Sequence, residues 1–162
     1  MKKLLMALAA VALGSAPVAA QDLSWKVVKR EYQGLPLLLR FPVNLDYSTH
    51  RLSHPVLFEL TVVYSEATGN GLPVSGFNKA VLEPFDEEVF RLIQDESKGY
   101  CALVETFAGK RHYYAYMPVT FDKNGAQSSL QSKFSALTLN LRVSDDKEWS
   151  FIRRYSKEYL SQ

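Results

Sequence analysis

The chain predicts an α+β domain with its central elements in the order β-α-β-β-α-β, and three observations carry that expectation. Apolar residues alternate with others along Val56 to Tyr64 and again along Leu137 to Val143, the period of a strand with one buried face. Phe77, Val81, Phe85, Val89, Leu92 and Ile93 recur every three or four residues, which places them on one stripe of a helix. Two β-rich segments, Tyr100 to Phe107 and Lys110 to Met117, flank Ala108-Gly109, the pattern of a hairpin closed by a two-residue turn.

The elements follow in order. Trp25 to Tyr32 and Leu35 to Val43 read as a leading hairpin about Gln33-Gly34, because glycine accepts the positive φ that such turns need. Asn44 to His54 is polar and ends at Pro55, so it reads as a connecting loop. Val56 to Tyr64 is a central strand, and Gly69-Asn70-Gly71 with Pro73 mark the loop after it. The helix over Phe77 to Ile93 contains Pro84, which lacks a backbone donor and crowds the preceding turn. Either a kink falls there or a fresh helix starts there, with Asp86, Glu87 and Glu88 near its positive end. Gly99 is expected to close this helix.

In the second hairpin the two-residue turn sets Thr106 opposite Arg111, Glu105 opposite His112, Val104 opposite Tyr113 and Leu103 opposite Tyr114. Ala126, Leu130 and Phe134 step by four and mark a short amphipathic helix after Asn124. Leu137 to Val143 is the last strand. Asp145 with Glu148 three residues on resembles a capping box, opening a C-terminal helix that turns Trp149, Ile152, Ser156 and Tyr159 inward. The β-α-β-β-α-β order is that of a ferredoxin-like split βαβ sandwich, here with an N-terminal β-hairpin and a C-terminal helix added. The sheet edge that takes the hairpin is left open by this reading.

The first twenty residues predict export. Lys2 and Lys3 precede an apolar run, Leu4 to Leu13, and Val18-Ala19-Ala20 is a small-residue cleavage site. The run is about half the roughly 20 residues needed to span a bilayer, so residues 1–20 read as a signal peptide and 21–162 as one soluble domain. No cysteine follows the cleavage region to carry a lipid, and a periplasmic or secreted location is expected. Cleavage between Ala20 and Gln21 is checked by the intact mass of chain recovered from the exported fraction. Uncut chain in membranes is the contrary result.

Charge excludes some partners. The full chain has 19 Lys and Arg against 17 Asp and Glu, and loss of Lys2 and Lys3 leaves 17 against 17. A neutral product gives no footing for nucleic acid, and Lys26, Lys29, Arg30, Arg153 and Arg154 read as solvated surface. Cys101 is the only cysteine, so no intrachain disulfide forms. Its setting, Tyr100-Cys101-Ala102-Leu103-Val104, has no neighbouring cation to lower its pKa and suits a buried thiol better than a reactive one.

Several residues together resemble a bacterial family. Trp25 and Pro36 flank the first hairpin turn, Thr106-Phe107-Ala108-Gly109-Lys110-Arg111 leads into Tyr113-Tyr114-Ala115-Tyr116, and Asp146-Lys147-Glu148-Trp149 closes the chain. Order and spacing resemble the domain-of-unknown-function family DUF695 over nearly the whole mature chain. Ala115 departs from the usually aromatic character of that strand. The resemblance implies a small ferredoxin-like domain and assigns no activity. The architecture is also distantly similar to inhibitors of ribonuclease E. The export signal argues against that partner and leaves the idea of a small regulator that works by binding.

Chemistry-bearing clusters are few. His50 and His54 stand four apart, but Arg51-Leu52-Ser53 and Pro55 make their surroundings a loop, and no metal site or cofactor is expected. Glu105, Arg111 and His112 form the best polar cluster, since the hairpin sets carboxylate beside imidazole. They are the candidate contacts to a partner or ligand. No nucleophile elbow, phosphate loop or zinc-protease motif occurs. The expectation is a non-enzymatic module that binds a protein or peptide. The alternatives are a small hydrolase or lyase using Glu105, His112 and Arg111, or a small-ligand carrier.

Overall fold

The computed structural model describes residues 24–43 and 45–160, so the signal segment and its cleavage site lie outside the described residues. Strands β1 (Trp25–Tyr32) and β2 (Leu35–Pro42) form the first hairpin, and a single helical turn, α1 (Tyr47–His50), follows. That turn lies inside the segment expected as loop. The Asp46 carboxylate caps it by accepting from the Ser48 and Thr49 amides, a local bond that apolar periodicity does not register.

Strand β3 (Val56–Val63) leads to a helical path over residues 75–96. It comprises α2 (Ser75–Phe77), a π-helical turn (Asn78–Leu82), α3 (Glu83–Phe90) and a second π-helical turn (Arg91–Glu96). Pro84 sits in the first turn of α3, directly after the wider π turn. The widened turn accommodates its missing donor and bulky ring without breaking the helix. Lys98, at φ 56°, takes the left-handed position after the helix where Gly99 was expected. Gly99 answers a different need: a Cβ there would lie 2.4 Å from the Met117 sulfur.

Strands β4 (Tyr100–Phe107) and β5 (Lys110–Met117) pair in the expected register, with Glu105 opposite His112 and Thr106 opposite Arg111. Ala108 and Gly109 both have positive φ, the requirement of a two-residue turn that follows the twist of the strands. A bulge between Cys101 and Leu103 shifts the register by one residue, and the ladder continues through Cys101 opposite Ala115 and Tyr100 opposite Tyr116. Helix α4 (Lys123–Lys133), capped by Asp122, strand β6 (Thr138–Asp145) and helix α5 (Ser150–Tyr155), continued by a π-helical turn (Ser156–Leu160), complete the chain. The cap of α5 is Asp146, which accepts from the Ser150 and Phe151 amides. Asp145 belongs to β6, and Glu148 pairs instead with Arg51.

All neighbouring strands are antiparallel, in the order β1-β2-β4-β5-β3-β6. The leading hairpin thus extends the sheet through β2 on β4. One face carries Phe58, Leu60, Val62, Val104, Tyr113, Ala115 and Leu141, and it packs on Leu82, Phe85, Val89 and Ile93 of the helical path and on Ala126 and Leu130 of α4. The other face buries Val28, Leu37, Leu39, Leu57, Leu103 and Tyr116 beneath Trp149 and Ile152. Cys101 is fully buried, and burial pushes its thiol up to about 12, so it stays protonated.

Candidate functional site

Side chains alternate between sheet faces, so each row of cross-strand partners belongs to one face. Arg111 and Tyr113 point toward α3, whereas Glu105, His112 and Tyr114 point toward α5. The structure therefore brings Glu105 and His112 together and sends Arg111 to the opposite side, where it is 6 % exposed. Direct neighbours on a strand cannot share a face, and this alternation takes Arg111 out of reach of anything that meets Glu105 and His112.

Around Glu105 and His112 the sheet presents two rows. The first runs Glu105, His112, Thr61, Asn140 across β4, β5, β3 and β6, and the second runs Leu103, Tyr114, Glu59, Arg142. His112 Nδ1 lies 2.9 Å from Thr61 Oγ1. The C-terminal helix roofs the β4 side of the rows: the Tyr155 hydroxyl donates to Glu105 Oε2, and Phe151 stacks on Tyr114 with centroids 4.5 Å apart. Glu105, His112, Tyr114, Glu59, Thr61, Phe151 and Tyr155 are all half-buried. The face beyond them, with Asn140 and Arg142, is open.

Burial pushes the His112 imidazole below its ordinary value of 6.5. Glu105 and Glu59 pull the other way, and Lys110 adds to the fall. The ring is therefore neutral at pH 7. Because the folded value is the lower one, protonation opposes folding: the stability this histidine confers is complete above about 6.5 and is lost as pH falls toward the folded value. Burial, and then donation to Glu105, hold the Tyr155 phenol above its ordinary value of 10, so it acts as a donor.

A second polar cluster lies under α3, and sequence reasoning missed it. Asp86 accepts from Arg40 Nη2 at 2.7 Å, from Arg111 Nη1 at 2.9 and 3.1 Å, and from the Tyr113 hydroxyl. Arg111 also donates to Thr106 Oγ1 at 3.2 Å and to Asn78 Oδ1 at 2.8 Å. Burial holds the Tyr113 phenol well above 10, which keeps its proton available for Asp86. Each polar group here is directed at another, so the cluster ties helix to sheet. A signal existed: Asp86 falls on the same spacing as Leu82, Phe85 and Val89, an acid on an apolar stripe.

The two histidines of the 50–54 segment both pack on Tyr100, His54 edge-on at 4.6 Å. His50 stacks on Tyr100 at 4.2 Å, while His54 reaches the Lys98 carbonyl through Nε2 and Ser53 Oγ through Nδ1, each at 2.8 Å. Among the described residues no group of three or more His, Cys, Asp or Glu is arranged to hold a metal ion.

These features define a small α+β domain with an antiparallel sheet, one face closed by helices and the other only partly roofed. The chain belongs to DUF695, a family of unknown function whose model matches residues 23–155. Comparison with curated proteins and with solved structures gave no match.

Proposed function

We propose that the chain is an exported, non-enzymatic binding module that takes a protein or peptide on the partly roofed sheet face. The observation that carries this reading is the run of half-buried polar and aromatic side chains there: Glu105, His112, Thr61 and Glu59 beside Tyr114, Phe151 and Tyr155. Amphipathic rings beside polar groups are the composition that interfaces favour. Strand order supports a ferredoxin-like core, since β4-β5-β3-β6 places the first and third core strands at the centre, with the second and fourth outside them. Export rests on the residue pattern of the first twenty positions. Among the described residues no helix is long and apolar enough to cross a membrane.

Peptides selected on the immobilised chain are expected to shift the amide resonances of Glu105, His112 and Tyr114. They should lose affinity by about tenfold or more in Thr61→Lys, which sets a charged stem in the middle of the first row. Selected binders that map elsewhere, or that bind Thr61→Lys unchanged, remove this reading.

The contact between Thr61 Oγ1 and His112 Nδ1 favours a second reading, a hydrolase in which a hydroxyl is activated by a neutral imidazole. His112→Gln separates the two. As a cross-strand partner, His112 is expected to cost under about 1 kcal/mol when replaced and to leave binding, or any rate found in a hydrolase screen, within a few-fold. A rate cut by about a hundredfold at unchanged stability would establish the enzyme instead.

A further inference from the structure

The sheet has two edges, and they are protected unequally. Strand β1 carries Lys26, Lys29 and Arg30, the kind of charge that keeps edges from joining. Strand β6 pairs with β3 along its whole length, from Thr138 opposite Val63 to Asp145 opposite Val56, and no described residue pairs with its other side. Thr138, Asn140, Arg142, Val143, Ser144 and Asp145 are all exposed, Val143 at 38 %. Arg142 makes no ion pair with any described residue.

We propose that β6 pairs antiparallel with β6 of a second copy of this chain, joining two sheets into one about a two-fold axis through Leu141. The register argument is specific. A one-residue slip would mix buried and exposed faces, so only in-phase pairings count. On β1 the two longest of these, over Trp25 to Glu31 and over Lys26 to Tyr32, set Lys26 against Arg30 or Lys29 against Lys29. On β6 the pairing over Leu139 to Asp145 sets Arg142 against Arg142. The pairing over Thr138 to Ser144 sets no like charges together.

In that last register Leu141 meets Leu141, and Leu139 meets Val143 of the second copy. These continue the apolar row that Phe58, Leu60 and Val62 begin and cover the exposed Val143. On the opposite face Arg142 meets Asn140 of the second copy, whose side-chain carbonyl accepts from the guanidinium. The two-fold axis also carries both copies of α4 to one side of the joined sheet. Between Lys123 and Lys133 this helix has no charged residue, and Asn124, Gln127, Ser128, Gln131 and Ser132 line a shallow hollow of about 550 Å³ on it. Charge depletion beside an unpaired edge fits an isologous contact.

Sedimentation equilibrium of the purified full chain is expected to give twice the chain mass. Val143→Lys, at an exposed site, is expected to give a monomer with an unchanged circular dichroism spectrum, and Val27→Lys on the other edge to leave the dimer intact. Register is read separately. Asn140→Cys and Arg142→Cys chains, mixed and oxidised, should form a disulfide between unlike variants and little between like ones, because only opposed residues fall within bridging distance. A monomer at every concentration overturns the proposal, including a monomer whose β6 edge is taken by an extended peptide of another protein. So does a dimer that Val27→Lys dissolves and Val143→Lys does not, or one whose like variants cross-link as readily as unlike ones.

Discussion

Trp149→Ala is expected to destabilise the domain by about 3 to 5 kcal/mol, the usual cost of truncating a fully buried large aromatic. The ring is completely inaccessible and lies nearly parallel to Tyr116, with centroids 4.1 Å apart. Its Nε1 donates to the His54 carbonyl at 2.7 Å. The residue is also the pivot between β6 and α5: it has φ 53°, and Asp146 just before it holds both the Tyr116 hydroxyl and the first amides of α5. Removing the ring therefore opens a cavity, orphans a carbonyl and loosens the seat of the C-terminal helix. Urea denaturation followed by circular dichroism measures the loss. Trp149→Phe keeps part of the stacking and drops the hydrogen bond, for an expected cost of about 1 to 2 kcal/mol. A midpoint unchanged in Trp149→Ala would mean that the helix is not docked through this residue.

Asp86→Ala is expected to cost a similar amount, about 3 to 5 kcal/mol, by a different route. The carboxylate removed is small. What remains is Arg111, buried at 6 % exposure, with its counter-ion gone, and Tyr113 with a buried hydroxyl and no acceptor. The penalty is the desolvated charge left behind and not the net worth of the ion pair. The control is the double variant Asp86→Leu/Arg111→Met, which removes both charges and is expected to recover much of the loss, since apolar residues of similar volume often replace a buried pair at little cost. A double variant as unstable as Asp86→Ala would assign the cost to packing under α3.

Residues 100–117 show why part of this fold was legible. A two-residue turn at Ala108-Gly109 leaves one register open to the strands, so Glu105 opposite His112 follows from turn chemistry alone. Position Asp86 shows why the rest was not. It opens the acidic run Asp86-Glu87-Glu88, whose charge suits a helix start, and only the rotation of α3 against the sheet turns the first of the three inward. Glu87 is exposed and Glu88 is half-buried, paired with Arg91 and Lys133. The partners that make the burial of Asp86 tolerable, Arg40 and Arg111, come from two strands distant in the chain.

Arg111 marks the same boundary within the candidate site. Its opposition to Thr106 is a local fact, readable from the hairpin, while its separation from Glu105 and His112 becomes significant only when helices cover one face and leave the other partly open. By itself the sequence determined the strands, the helix over Phe77 to Ile93, both tight turns and the register of the second hairpin, because each rests on contacts between near neighbours. The tertiary structure alone decided that β2 docks on β4, that Asp86 lies inside, that Asp146 seats α5 and that β6 is left as an open edge. Those outcomes depend on which long-range pairings bury the most apolar surface while leaving no buried polar group without a partner, and near-neighbour periodicity does not contain that balance.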